Sequence, residues 1–253
     1  MKSLDYNKIE KYKNEAFNFD IGKYFSQAIE VFQNNWVPFV IYTLISGIIF
    51  LFSYFTIIGL FFITFPLMIG FLVGAERAEQ KMSLDLGDFF GSFKNLGNYF
   101  IFSLIMIGAT IVVFLPFIFL TVFPLFFNDS ENLNPALMFG SSMLSILYMF
   151  VIIIFLFIFQ ILLYFTPFLI HYGNMKTNEA MKTSIALAKK NFWWILLIQI
   201  LVSIISSIGI YLCGIGALAT YPIAYIFTYF LLNDMILTDD TQSEIDLLGT
   251  NQE

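Results

Sequence analysis

The chain has 253 residues, of which 59% are hydrophobic, 19% aromatic and 12% charged, and its formal net charge is −6. A water-soluble domain carries about 25% charged residues, so this composition excludes a soluble enzyme and a disordered chain. The negative net charge argues against nucleic acid as a partner, and Cys213, the one cysteine, has no second thiol for a disulfide. The sequence therefore predicts an all-α, polytopic membrane protein.

The two ends of the chain are polar. Residues 1–20 alternate acids and lysines without an early apolar run, so they predict a short, poorly ordered cytoplasmic tail rather than a signal peptide. Residues 234–253 are polar and acidic and predict a second cytoplasmic tail. The stretch between the tails, 21–233, is predicted to form a single transmembrane domain.

Long uncharged stretches predict about six transmembrane helices, because a span needs about 20 mostly apolar residues. The uncharged run from Trp36 to Gly74 fits two helices, about 37–55 and 59–79, with a break near Thr56–Gly59. Prolines interrupt the middle of the chain, where Pro116 is expected to bend a helix or Pro124 to end it, and a bend is expected near Pro167. The remaining spans are predicted over 98–123, over 145–170 after a surface-lying or tilted lead-in from 136, over 192–211 and over 216–232.

The basic residues indicate the orientation of these spans. With six spans, all twelve fall in the N-terminal segment, the second-to-third connection and the fourth-to-fifth connection. Lysine and arginine accumulate on the cytoplasmic side of membrane helices. We therefore expect both termini in the cytoplasm.

Three amphipathic stretches, 21–34, 83–97 and 177–190, each lead into a predicted span, with Asp20, Ser83 and Thr177 as candidate N-caps. Such stretches suit helices that lie in the membrane interface, with lysines toward lipid headgroups. For 177–190 the predicted apolar face consists of Met181, Ile185 and Ala188. The candidate lipid-interface residues are Trp36, Lys182, Lys189, Lys190, Trp193 and Trp194.

A shift of 156 residues superimposes parts of the chain on one another. It aligns Asn35 with Asn191 and Pro66 with Pro222, and each Asn stands between an amphipathic stretch and a span. These matches predict an internal repeat of parallel units, 21–82 and 177–233, with a more diverged unit at 83–176.

Small residues at helical spacing predict close helix packing. Gly70 and Gly74 form a GxxxG pair, and Ser203 and Ser207 a similar one, either within one chain or at the seam of a homo-oligomer. The apolar parts of the spans contain no charged side chain, which argues against a proton path. His171, the one histidine, is expected to be solvated or to cap a helix end, and neither a metal nor a cofactor is expected.

Several residues resemble a family of bacterial polytopic proteins. They are the segment Ala186–Trp194 (ALAKKNFWW), the segment Cys213–Gly216, Pro222, and Asn233 with Asp234. The family includes the membrane domain attached to some glycerophosphodiester phosphodiesterases and proteins described as proline- and glycine-rich transmembrane. The resemblance implies a six-helix inner-membrane protein. It carries over no catalytic residue, because the soluble phosphodiesterase domain is missing here.

Three functions compete at this point. The favoured hypothesis is a non-enzymatic scaffold or modulator of membrane and envelope organisation, with membrane lipids as its partners and its protein partner unidentified. The alternative is a transporter or permeability pathway for an uncharged or amphipathic solute. A lipid enzyme is disfavoured, since its acids would have to come from the membrane surface near Glu76, Glu79, Asp85 and Asp88.

Overall fold

The computed structural model describes residues 2–127, 135–211 and 214–238. The regular structure in these ranges is helical, which confirms the all-α prediction. The elements are α1 (Tyr6–Asn14), α2 (Ile21–Asn34), α3 (Trp36–Phe55), α4 (Ile57–Glu79), α5 (Leu86–Phe89), a 3₁₀ helix (Phe90–Asn95), α6 (Leu96–Phe127), α7 (Pro135–Leu162), α8 (Thr166–Gly173), α9 (Thr177–Tyr211) and α10 (Ala217–Ile236).

Among the described residues, four helical stretches have the length and apolar composition needed to cross a membrane, as expected of an integral membrane protein. They are Trp36–Phe55, Leu86–Val122, Met138–Gly173 and Thr177–Tyr211. Helices α4 and α10 occupy the positions of the other two predicted spans, and their apolar sequences are mixed with polar residues such as Thr220, Asn233 and Asp234.

The chain forms two compact units, Met1–Phe100 with Leu162–Glu253, and Ile101–Ile161. The smaller unit consists of most of α6 and most of α7, and the Tyr148 hydroxyl donates to the Val113 carbonyl at 3.2 Å. Large apolar side chains on both helices are exposed, for example Val112 at 65% and Ile154 at 60%. A continuous apolar surface of this kind suits lipid better than water.

Helix α10 lies at the centre of the larger unit, where it packs against α9, α2, α4 and α3. From Ala224 to Ile236 most of its side chains are buried. The helix also runs three residues beyond 233, past the predicted start of the C-terminal tail, because Met235 and Ile236 are apolar and fully buried.

The N-terminal segment is ordered, contrary to the predicted poorly ordered tail. Asp5 caps α1, and Leu4 forms an antiparallel bridge with Leu237. The reason is the set of apolar residues spaced among the charges. Ile9, Phe17 and Phe19 are each less than a tenth exposed, and α1 packs against α9 and α10.

Two asparagines mark the junctions between amphipathic helix and span. Asn35 stands between α2 and α3 with φ −134° and ψ 27°. Asn191 kinks α9 with φ −110° and ψ 20°, at the boundary between 177–190 and the apolar part of the helix. The chain thus departs from helical geometry in a similar way at both positions.

Other boundaries differ from the sequence-based expectations. Helix α6 continues through Pro116 and Pro124 to Phe127, as membrane helices tolerate proline. Helix α7 runs unbroken from Pro135 to Leu162 without a separate lead-in. The break falls at 163–165, just before α8, which has Pro167 in its first turn.

The amphipathic stretch 83–97 is also shorter and tighter than predicted. It is the single turn of α5 followed by the 3₁₀ helix. Asp85, not Ser83, is the N-cap, because Asp88 three residues later completes a capping box. Of the other predicted caps, Asp20 accepts from the Lys23 backbone N–H, whereas Thr177 donates its hydroxyl to the Asn98 carbonyl.

Candidate functional site

A polar network lies where the N-terminal segment meets the ends of α4 and α10. The Lys2 ammonium contacts Glu79 Oε2 at 2.9 Å and Asn233 Oδ1 at 2.9 Å. Glu79 also accepts from the Tyr229 hydroxyl at 2.5 Å and from Asn233 Nδ2 at 3.1 Å. The backbone N–H of Lys2 donates to Glu76. The Lys2 side chain is 5% exposed, so this network is largely shielded from solvent.

A second ion pair ties α2 to α10. Lys23 Nζ lies 3.0 Å from Asp234 Oδ2. Burial, together with the nearby Asp234 carboxylate, raises the pKa of the Tyr24 hydroxyl well above its usual value, so Tyr24 stays neutral. The Lys23–Asp234 ion pair and the hydrogen bond between Tyr24 and Asp234 fix α2 against the last turns of α10.

A polar cavity of about 280 Å³ lies between the end of α4, the 3₁₀ region and α8. Glu76, Arg77, Asp88, Lys94 and His171 all line it. Arg77 Nη1 pairs with Asp88 Oδ2 at 2.9 Å.

The structure contradicts the prediction of a solvated or capping His171. The residue is 1% exposed, and neither ring nitrogen has a hydrogen-bond partner among the described residues. The reason is that α8 is buried along its length from Thr166 to Tyr172.

The GxxxG face of α4 contacts other parts of the same chain. A Cβ added at Gly70 would lie 2.1 Å from the Tyr42 hydroxyl, and one at Gly74 would lie 2.4 Å from Phe89 Cε1. The rings of Tyr42 and Phe89 stack with centroids 4.4 Å apart, and Tyr42 donates to the Leu67 carbonyl at 2.9 Å. The two glycines therefore admit an aromatic cluster that joins α3, α4 and α5.

The other small-residue pair is placed differently. Ser203 is exposed and Ser207 half-buried, and the Ser207 hydroxyl donates to the Ser203 carbonyl of its own helix at 2.7 Å. The pair therefore lies on the outer side of α9.

An apolar groove of about 380 Å³ lies between α3, α4 and the start of α10. Hydroxyl-bearing side chains are interspersed in its apolar lining: Thr43, Ser46, Thr64, Tyr221 and Tyr225. Its chemistry suits an apolar chain or an uncharged, weakly polar molecule.

The amphipathic helix 177–190 packs its buried face against protein. Met181 and Ile185 of the predicted face are only half-buried, so the buried face is rotated from the predicted one. The buried residues are Thr177, Ala180, Ser184, Leu187 and Ala188. The Ser184 hydroxyl accepts from the Phe165 backbone N–H at 3.1 Å, which anchors this helix to the start of α8.

The candidate lipid-interface residues are mostly exposed. Lys182, Lys189 and Lys190 all point away from the protein interior. Trp36 is 55% and Trp193 77% exposed, whereas Trp194 is half-buried with its ring centroid 5.3 Å from that of Phe19.

Within the part of the chain that the structure describes, no three His, Cys, Asp or Glu side chains converge as a metal site would require. Comparison with protein-family models, with curated proteins and with solved structures finds no match to this chain.

Sequence reasoning missed the partners in the polar network. Lys2 and Tyr229 carry no motif, and their proximity arises only when the N-terminal segment docks on α10. The one available signal was the pair of polar residues Asn233 and Asp234 at the end of an apolar helix.

Proposed function

We propose that this chain is a non-enzymatic, six-span protein of a bacterial inner membrane, with both termini cytoplasmic, that organises the membrane around it. The proposed spans are α3, α4, α6, α7 with α8, the apolar part of α9, and α10. The family resemblance over residues 170–235 favours the same architecture.

The observation that carries the proposal is the polar network around Glu79. Its carboxylate is engaged by Lys2, Tyr229 and Asn233. These groups hydrogen-bond to one another, and they come from separate parts of the chain, since Lys2 lies 77 and Tyr229 150 residues from Glu79 in the sequence. Such an arrangement suits a closed, rigid end of a helix bundle rather than a site that turns over a substrate.

The exposed lysines of 177–190 supply the surface that acts on lipid. The inner face of this helix is anchored at Ser184 to the start of α8, which leaves Lys182, Lys189 and Lys190 to face headgroups. Each lysine near an anionic membrane surface is worth about 1 kcal/mol. Trp36 and Trp193 suit the aromatic belt at the same interface.

The internal repeat is part of this proposal. The similar backbone geometry of Asn35 and Asn191 supports it, as does the position of Pro66 inside α4 and Pro222 inside α10. We expect 21–74 and 177–230 to superpose as helix, span, turn and span, with the two prolines at equivalent depths.

A solute pathway is the second candidate, favoured by the apolar groove between α3, α4 and α10. Its lining of aliphatic carbons and hydroxyls suits an uncharged or amphipathic solute. Movement of such a solute would require the groove to open toward both membrane surfaces.

Reconstitution of the full chain in vesicles separates the two functions. The scaffold proposal predicts that fluorescent phosphatidylglycerol is enriched around labelled protein, and that replacing Lys182, Lys189 and Lys190 together by glutamine removes this enrichment. It also predicts that glycerol enters protein-containing and empty vesicles at the same rate. Faster glycerol entry, without lipid enrichment, would establish the pathway instead.

A further inference from the structure

The cavity beside His171 has the features of a ligand site that the scaffold role does not use. It lies in the larger unit and has a volume of about 280 Å³, enough for a small polar group. His171 is 1% exposed, lines the cavity, and has no hydrogen-bond partner at either ring nitrogen among the described residues. A buried imidazole of this kind needs a donor and an acceptor from elsewhere.

The carboxylates around the cavity are already engaged. Asp88 pairs with Arg77 at 2.9 Å and accepts from the Asp85 backbone N–H at 3.0 Å. Glu76 accepts from the backbone N–H of Lys2. The Asp88 charge is therefore balanced by Arg77 before a ligand enters the cavity.

The cavity also offers donors from cationic side chains. Arg77 uses one guanidinium nitrogen for Asp88, and a guanidinium has five N–H groups. Lys94 brings an ammonium group to the same lining. Together with a ring N–H of His171, these groups suit an oxyanion with several acceptor oxygens.

We propose that this cavity binds a phosphate group, held by Lys94, Arg77 and His171. The second ring nitrogen of His171 accepts from a hydroxyl of the bound molecule, such as that of a phosphomonoester or of a glycerol substituent. Two sources carry this chemistry, a free phosphate ester and a phospholipid headgroup. The lipid source rests on the proposed span of α4, whose uncharged run ends just before Glu76, the first charged residue of the cavity lining.

The lone histidine makes the test direct. The full chain, prepared without a polyhistidine tag and labelled with ¹⁵N-histidine, gives imidazole signals from His171 alone. In phosphatidylcholine nanodiscs, we expect these signals to shift saturably with inorganic phosphate or glycerol phosphate if the ligand is free. A shift that occurs only when phosphatidylglycerol replaces part of the phosphatidylcholine identifies the headgroup.

Two variants test the residue assignment. Lys94→Gln should weaken binding by roughly tenfold, the effect of losing one charge-assisted hydrogen bond, and Lys94→Arg should restore most of it. Lys182→Gln, which removes an exposed lysine elsewhere, should leave binding unchanged. Circular dichroism establishes that each variant is folded.

The proposal is overturned if no phosphate species shifts the His171 signals, or if the shift is equally large and equally tight in the Lys94→Gln chain. The proposed lipid enrichment around the protein depends instead on Lys182, Lys189 and Lys190. Failure of the scaffold proposal would therefore leave the free-phosphate result intact.

Discussion

The Glu79 carboxylate is half-buried and accepts hydrogen bonds from Lys2, Tyr229 and Asn233. Its negative charge therefore strengthens three contacts at once. The Glu79→Gln substitution keeps the shape but removes the ion pair with the Lys2 ammonium, whose side chain is 5% exposed. We expect the free energy of unfolding to fall by about 2 kcal/mol, measured as a lower Tm in detergent. The matched control is Glu10→Gln. Its pair with Lys13 is exposed, so the change should stay below about 0.5 kcal/mol.

Gly74 is a second residue at which one added carbon atom is expected to lower the stability of the fold. In Gly74→Ala the new methyl would lie 2.4 Å from the Phe89 ring, and such overpacking costs about 1–3 kcal/mol. Gly47→Ala in α3 is the control, since a Cβ there meets nothing within 4 Å. Thermal unfolding should show a lower Tm for the first variant and an equal or higher Tm for the second. Equal Tm values would mean that the ring moves aside freely.

Residue-level partners were the least predictable part of the molecule. The glycine pair could be recognised because its spacing follows from helix geometry alone. The burial of His171 and the docking of Lys2 could not, because each depends on which helices surround it in three dimensions. The N-terminal segment shows the same difficulty, since Ile9 and Phe17 were outweighed by neighbouring charges in the sequence.

At the scale of helices, the two junctions at Asn35 and Asn191 provide a test. Asn191 accepts from the Phe17 N–H at 2.8 Å and donates to the Tyr12 and Leu187 carbonyls. Asn35 donates only to the Val31 carbonyl at 3.1 Å in the described contacts. We expect Asn191→Ala to cost about 2–3 kcal/mol, because it leaves a buried N–H unsatisfied, and Asn35→Ala to cost about 1 kcal/mol.

Limited trypsin digestion gives an independent measurement of the same junction. Loss of the Asn191 contacts should release the segment around Phe17 and speed cleavage at Lys11 and Lys13. Asn35→Ala should leave these cleavage rates as they are. Equal rates in the two variants would show that Asn191 does not hold the N-terminal segment.

At the element level, the sequence predicted most of the long helices, since runs of apolar residues and their breaks are local properties. The break after α3 fell at Thr56, as expected. The helix boundaries and faces that were predicted wrongly depend on tertiary contacts, which the local sequence does not reveal. Proline ended no helix within α6, and the buried face of 177–190 was set by contacts such as that of Ser184 with the start of α8 rather than by its own periodicity.

For the whole molecule, the distribution of lysines predicts the orientation. In a chain carrying Cys213→Ala, cysteines placed at Ser3 and Thr250 should be protected from membrane-impermeant reagents in intact cells, and one at Ser130 should react. The physical reason is that positive residues stay on the cytoplasmic side during insertion. Permeabilised cells provide the control, in which all three positions should react. Labelling of position 3 or 250 from outside would contradict the six-span arrangement.

The docking of Lys2 also sets an order of events during synthesis. Lys2 emerges from the ribosome long before Asn233 and Leu237, to which its segment attaches, because these residues lie more than 220 positions later in the sequence. The segment around Lys2 can therefore reach its final place only after α10 has been synthesised. A nascent chain that stalls before α10 would keep Lys2 and Glu79 without two of their partners, a state open to proteases. Closure of this end thus distinguishes chains that already contain α10 from those that do not.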